Sequence, residues 1–323
     1  MIEPTRHLPP RERDERFEAL VLAGLSAQPK SLPTRFLYDA EGSSLFEAIT
    51  ALPEYYLTRA ETEILRAHAQ EIVADAGADE IVEFGSGSSE KTRLLLAELE
   101  RYTRGRGGRY GPIDISAEFL EETAAALAPA YPGLTIAPVA AEYFDALAAM
   151  PESPHRRLIL FLGSNIGNFE SGGASEFLRS VRVHMGPRDT LLLGLDQVKA
   201  EADLVAAYDD AQGVTARFTR NLLVRANREL GADFDLEAFR HFARWNAGYE
   251  RMEMGLLILR DSSVRIAGSE FRFSAGEEIH TEFSRKYTRG SAERLAREAG
   301  LKIARWWTDA EGRFADALLE PIP

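Results

Sequence analysis

The chain has 323 residues, 45% of them hydrophobic, with 38 Lys and Arg against 51 Asp and Glu and no Cys. At roughly 150 residues per domain this length gives about two domains with ample material for a core, and the formal charge of −13 disfavours polyanionic partners, nucleic acid and anionic membrane alike. The missing Cys excludes disulfides, thiolate zinc sites, iron–sulfur clusters and cysteine nucleophiles.

The opening segment MIEPTRHLPPRERDER is charged and lacks the apolar stretch of a signal peptide. No run approaches the ~20 apolar residues of a membrane span, so a soluble, cytoplasmic protein is expected. Residues 12–27 predict a helix, followed by turn chemistry at Lys30–Pro33 and Asp39–Ser43. Ser43 or Ser44 is expected to cap the helix of LFEAI, and Thr58, three residues before Glu61, has the spacing of a capping box. Between them lies PEYYLT, whose adjacent Tyr55 and Tyr56 are unusual material for a linker.

From Glu80 short apolar runs alternate with helical stretches. Strands are predicted at 80–84, 109–115, 134–142, 157–163 and 189–195, with helices at 90–102, 116–128, 143–150 and 173–185. That alternation implies crossover units, an α/β fold and an open, doubly wound parallel sheet whose ligands bind beyond the carboxyl ends of its strands. The stretch RYTRGRGGRYG (101–111) is a local positive patch and reads as a solvated loop rather than a nucleic-acid contact.

After Asp196 the pattern breaks. Residues 197–245 read as several helices, and ERMEMGLLILR and VRIAGSEFRFSAGEEIHTEFSRKY as two period-2 strands with turn residues between them. A helix at 291–299 and a hairpin turned by Asp309–Gly312 end the chain. If this hairpin completes the sheet, one domain comprises 60–196 plus 287–323 and the other 1–59 plus 197–286.

Chemistry concentrates at the predicted strand ends. Gly85, Ser86 and Gly87 in EFGSGSSEKT allow a tight turn and close approach of a ligand, although Glu90 replaces the third glycine of a dinucleotide fingerprint. Asp114 ends the second strand, where an acid accepts hydrogen bonds from ribose hydroxyls, and Glu142–Tyr143 ends the third with a carboxylate and a ring suited to an adenine edge and face. These groups suit a cofactor with adenosine but no phosphates, of which S-adenosylmethionine is the common one. The alternative is a structural glycine turn.

The fourth strand ends in FLGSNIGNF, whose Asn165 and Asn168 suit a carboxylate or ammonium group, the alternative being a helix-capping turn. In HTEFS (280–284), alternation places Glu282 and Ser284 on one face, where they can hold a polar heterocycle, and Thr281 and Phe283 on the other. A solvent-facing strand edge is the alternative.

The blocks YDAEGSSLFEAITALPEYYLTRAETEIL, EFGSGSSEKTRLLL, FLGSNIGN, RMEM and TEFSRKY, in this order and spacing, resemble the L-histidine Nα-methyltransferases of ergothioneine biosynthesis. The resemblance runs from about Leu32 to the C-terminal hairpin. It implies a Rossmann-like class I methyltransferase sheet carrying a second, family-specific α+β domain that forms the substrate pocket. It further implies that Gly85, Lys91, Asp114, Glu142 and Tyr143 line the S-adenosylmethionine site, with Tyr38 reaching in. Tyr56, Asn168 and Tyr208 would hold the amino-acid backbone, Asn168 and Tyr208 on its carboxylate, and Met254, Glu282 and Ser284 would surround the imidazole. The chain departs from the family in having Glu142–Tyr143 where Asp-Phe is frequent and Asn165 where Thr is common.

Methyl transfer from a sulfonium is an in-line displacement, so the protein mainly orients the reactants and keeps the amine neutral. Neither a covalent nucleophile nor a metal is required. Tyr38 and Tyr56 are then assigned catalytic positions, their rings suited to a methylated ammonium by cation–π attraction. L-histidine is the expected partner, S-adenosyl-L-homocysteine the co-product and a monomer the expected state. Rival readings are a relative acting on a tryptophan-like amino acid, a nicotinamide-dependent oxidoreductase and a non-catalytic adenosyl-ligand sensor. Glu282 with Ser284 disfavours the first, Glu90 the second and the intact Tyr38, Tyr56, Asn168 and Glu282 the third.

Overall fold

A computed structural model describes residues 1–8, 13–151, 153–170 and 172–323. Residue 12, where the first helix is predicted to begin, lies outside the described residues; that helix is observed over Arg13–Ser26. In chain order the strands are β1 (Arg6–His7), β2 (Lys30–Ser31), β3 (Glu80–Phe84), β4 (Gly108–Asp114), β5 (Leu134–Ile136), β6 (Val139–Ala140), β7 (Arg157–Phe161) and β8 (Thr190–Asp196). There follow β9 (Phe239–Asn246), β10 (Arg251–Ile258), β11 (Ser262–Ile266), β12 (Ser269–Phe273), β13 (Glu278–Arg285), β14 (Leu301–Thr308) and β15 (Phe314–Pro321).

The chain forms two compact units, Met1–Pro9 with Leu57–Val198 and Lys286–Pro323, and Pro10–Tyr56 with Lys199–Arg285. The first holds a sheet of order β1-β6-β4-β3-β7-β8-β15-β14, with β5 also paired to β4. Its ladders are parallel except for β15 on β8 and β14 on β15, so the C-terminal hairpin supplies the antiparallel edge. Every position of β3 is buried, as expected of a strand covered on both faces. Phe84, Phe161, Phe177, Val181, Leu191 and Ala296 belong to one core cluster, joining the strands to the helices Gly173–His184 and Arg289–Glu298.

Several sequence expectations are corrected by tertiary context. The strand predicted at 134–142 is two short strands, interrupted at Ala137–Pro138. On β4 the interruption falls at Gly111–Pro112, between its pairing to β5 and its pairing to β6. Pro112 and Pro138 carry no N–H, so the ladder lapses where they face one another. Residues 1–59 do not all belong to the second unit: Arg6–His7 pair in parallel with Val139–Ala140 of the large sheet.

In the second unit β2-β13-β10-β9 form a sheet, parallel at β2 and antiparallel elsewhere, and β11-β12 form a separate hairpin. Helices occupy Glu201–Tyr208 and Val214–Leu230, but FRHFARWN, predicted helical, is strand β9 because its full length pairs with β10. The region 264–287 contains three strands rather than one, since Ala267–Gly268 turns with positive φ between β11 and β12. No helix among the described residues is long and apolar enough to cross a membrane.

Two helix starts also differ. The helix Ala40–Thr50 is capped by Asp39, whose carboxylate accepts the Gly42 N–H, instead of by Ser43 or Ser44. Thr58 lies inside the helix Tyr56–Ala76, and Glu61, expected in its capping box, is fully buried and bonded elsewhere in the fold. The patch 101–111 is met by acids: Arg109 bonds Glu3 at 2.6 and 2.8 Å, and Arg106 pairs with Asp79 at 3.1 Å.

Candidate functional site

In the first unit, β3 lies between β4 and β7, where the crossovers change direction, and the carboxyl ends of β3, β4, β6 and β7 share one edge. The loop after β3 carries Gly85 at φ +71° and Gly87 at φ +50°, a conformation that costs a side chain about 1–2 kcal/mol. Close approach adds a second requirement at Gly85, where a Cβ would meet the Tyr143 hydroxyl at 2.7 Å and the Asn165 amide nitrogen at 3.2 Å.

Asp114 fastens this loop. Its carboxylate accepts the Gly87 N–H at 2.9 Å and the Ser116 N–H at 3.0 Å. Burial pushes its pKa up against those two bonds. Two carboxylate oxygens offer about four lone-pair sites, so further hydrogen-bond donors can be accepted. Beside it the Ser86 hydroxyl is buried and without a partner, a polar group in need of a ligand atom or water.

Beneath the loop, Glu83 accepts bonds from Thr92 at 2.7 Å and from the Tyr110 hydroxyl. Burial outweighs both bonds and pushes its pKa up to about 7. Lys91 pairs with Glu61, whose carboxylate also accepts the Gly163 N–H at 2.8 Å. Glu61 therefore ties the loop after β3 to the loop after β7. Asp316 of β15 is fully buried with neither oxygen bonded, and desolvation together with the charge of Glu61 pushes its pKa well above the ordinary range.

Tyr143 begins the helix Tyr143–Ala148, with Glu142 at its N-cap. Its ring meets Phe161 edge-on at 5.3 Å and Phe84 at 6.3 Å, so the ring belongs to an aromatic cluster while its hydroxyl is turned to Gly85. Burial drives the phenol pKa well up. Asn165 and Asn168 begin and end a 3-10 turn after β7, following Ser164 at φ +59°. The Asn165 amide is placed against Gly85 and Gly163.

The second unit gathers the remaining candidates. Met254 is the cross-strand partner of Glu282, and Met252 that of Ser284, which puts these four on one sheet face. The alternation expected through 280–284 is broken by a bulge between Met254 and Gly255, where Gly255 pairs with His280 and Thr281 is the extra residue. Glu282 and Ser284 still share a face, and His280 now stacks on Phe283 at 5.9 Å. Gly255 permits the bulge because a Cβ there would lie 2.2 Å from the Ile279 carbonyl oxygen.

Tyr208, at the end of the helix Glu201–Tyr208, brings its hydroxyl to 2.9 Å from that of Ser284. Tyr38 lies edge-on to Phe46 at 5.5 Å and Phe218 at 5.4 Å, and Tyr55 meets Tyr208 at 6.1 Å. Tyr56 is buried, with the Lys199 ammonium donating to its hydroxyl oxygen at 2.7 Å.

The structure thus assembles Gly85, Ser86, Gly87, Lys91, Asp114, Glu142, Tyr143 and Asn168 along one sheet edge of the first unit. Within the second it joins Met254, Glu282, Ser284 and Tyr208, while Tyr38 sits in an aromatic group and Tyr56 beside Lys199. Sequence reasoning missed Glu61, which carried only a local capping signal, and Lys199, which carried none.

The sequence matches known proteins over most of its length. A family described as "Histidine-specific methyltransferase, SAM-dependent" matches residues 17–321. The chain is 48% identical over 315 residues to a histidine N-alpha-methyltransferase of Mycolicibacterium smegmatis, covering 94% of this chain and 96% of that protein. It is 47% identical over 300 residues to the Mycobacterium tuberculosis protein of the same name, covering 92% of each. Ergothioneine biosynthesis protein 1 of Neurospora crassa is 35% identical over 87% of this chain, which spans 32% of that longer protein. A family match across nearly the whole length and two relatives almost half identical over more than nine-tenths of the chain have one meaning: the chain belongs to the histidine-specific, S-adenosylmethionine-dependent methyltransferase family.

Proposed function

We propose that the protein methylates the α-amino nitrogen of L-histidine from S-adenosylmethionine, carrying it to trimethylhistidine (hercynine), the first step of ergothioneine biosynthesis. The observation that carries this reading is the β10–β13 register, which sets Met254 opposite Glu282 and puts Ser284 on the same face, bonded to Tyr208. A carboxylate and a hydroxyl beside an apolar methionine suit an imidazole, which has a flat apolar ring and two polar nitrogens. The names of the mycobacterial relatives support the same substrate.

S-adenosylmethionine, when bound, supplies an electrophilic methyl group and a neutral thioether leaving group. The residues around the β3 loop fit it. The unpartnered Ser86 hydroxyl needs a polar contact, Asp114 retains acceptor capacity, and the backbone at Gly85 and Gly87 admits close approach. We assign Gly85, Ser86, Gly87, Lys91, Asp114, Glu142 and Tyr143 to the cofactor, with Tyr38 as a further contact. Tyr56 orients the substrate amine, and Asn168 and Tyr208 hold its carboxylate. Met254, Glu282 and Ser284 hold the ring. The division of labour follows: residues 60–196 and 287–323 bind the cofactor, and most of the rest selects the amino acid.

The reading is tested by exchanging substrates. In Glu282→Ala the imidazole N–H loses an acceptor of about 1.5–3 kcal/mol, so kcat/KM for histidine falls roughly 10- to 100-fold while that for tryptophan does not fall. An unchanged preference for histidine contradicts the assignment.

A further inference from the structure

We propose that Lys199 is a positioning residue for methyl transfer, acting on the substrate amine through Tyr56. The proposal rests on the reading above that Tyr56 contacts that amine. Tyr56 is only 4% exposed, and the Lys199 ammonium lies 2.7 Å from its hydroxyl oxygen and 4.4 Å from its ring centroid. The two residues lie 143 positions apart in the chain and within the same compact unit.

The chemistry of the two groups fixes the polarity of the contact. An ammonium has donors and no acceptor, so the tyrosine oxygen is the acceptor in this bond. A phenol O–H prefers the ring plane. With its oxygen engaged by Lys199, the hydroxyl hydrogen takes the remaining in-plane direction, and one orientation replaces two. Tyr56 is thereby presented in one hydroxyl orientation.

One consequence follows for the reaction. Nucleophilic attack requires the nitrogen lone pair aligned with the breaking bond, and a fixed hydroxyl is a fixed reference for that alignment. Lys199 further lies two residues before the helix Glu201–Tyr208, so one short segment carries both the residue that orients Tyr56 and the residue assigned to the carboxylate.

A double-mutant cycle tests the proposal on the full chain with histidine and S-adenosylmethionine. Lys199→Met and Tyr56→Phe are each expected to lower kcat about tenfold or more, the scale of one hydrogen bond to a charged group, with a smaller effect on KM. The double variant should be no slower than Tyr56→Phe alone, since the lysine acts through the hydroxyl that Phe lacks. Lys199→Arg, which keeps the charge and the donors and guards against misfolding of the Met variant, should recover most of the lost rate. Multiplicative losses in the double variant, or a Lys199→Met enzyme of wild-type rate beside an impaired Tyr56→Phe, overturn the role of Lys199 alone. A Tyr56→Phe enzyme of wild-type rate overturns the reading of Tyr56 and this proposal with it.

Discussion

The hydroxyls of Tyr208 and Ser284 lie 2.9 Å apart although the residues are 76 positions apart in sequence. One ends a helix that follows the crossing into the second unit, and the other lies on strand β13, shortly before the chain leaves it. In the proposed site this bond links the group on the substrate carboxylate to the group on its ring, so both ends of the amino acid are measured against one rigid pair.

Tyr208→Phe removes one partner of this buried pair and leaves the Ser284 hydroxyl in place. The fold should lose about 1 kcal/mol, and KM for histidine should rise roughly tenfold with a smaller change in kcat. Denaturant unfolding and steady-state kinetics on the same preparation check both numbers.

A smaller residue at Met254 enlarges the wall opposite Glu282. Combined with Glu282→Ala, Met254→Val should raise kcat/KM for tryptophan above that of the single variant, because ring volume and lost polarity act on the same face. Competition between the two amino acids at equal concentration reads the ratio directly.

Glu61 holds the loops after β3 and β7 together through Lys91 and the Gly163 N–H. Glu61→Ala leaves the lysine without its carboxylate and the N–H without its acceptor. With Lys91 a fifth exposed, the loss of stability should be about 3 kcal/mol, near the lower end for a broken buried pair. Weaker binding of S-adenosylhomocysteine by calorimetry should accompany it.

Glu83 gives the fold a pH dependence of known sign. Burial pushes its pKa up to about 7, whereas the unfolded chain has an ordinary carboxylate. Between about pH 4.5 and 7 the folded protein holds a proton that the unfolded chain releases, so this group's contribution to stability is complete at low pH and falls as pH rises. The slope is at most about 1.4 kcal/mol per pH unit. Glu83→Gln, which keeps an acceptor for Tyr110 and Thr92, should lose that slope when unfolding midpoints are compared across the range.

Much of the first unit was legible because each of its β–α turns carries its own signal: an apolar run, then Gly85, Asp114, Glu142 or Gly163, then a helix. The departures have physical causes that a local reading does not contain. Pro112 and Pro138 lie far apart in sequence, and only pairing in the sheet makes them interrupt the same ladder. Glu61 sits at capping-box spacing, yet the half-buried Lys91 and a backbone N–H from distant loops take its carboxylate. Strand β9 has helix-compatible composition, and its partner β10 decides its state. In the second unit the alternation in HTEFS identified the shared face of Glu282 and Ser284, but the bulge that reverses His280 depends on Gly255 across the ladder. Lys199 has no neighbour in sequence that announces it, and its partner Tyr56 lies 143 residues away.

The central claim is that the nitrogen of histidine next to its carboxylate receives the methyl groups. Incubating the purified chain with methyl-labelled S-adenosylmethionine and each amino acid singly, then locating the label by tandem mass spectrometry, tests it most directly. Labelled histidine carrying up to three methyl groups, all on the α-nitrogen, is the expected product. Label on the imidazole, or on another amino acid in preference to histidine, contradicts it.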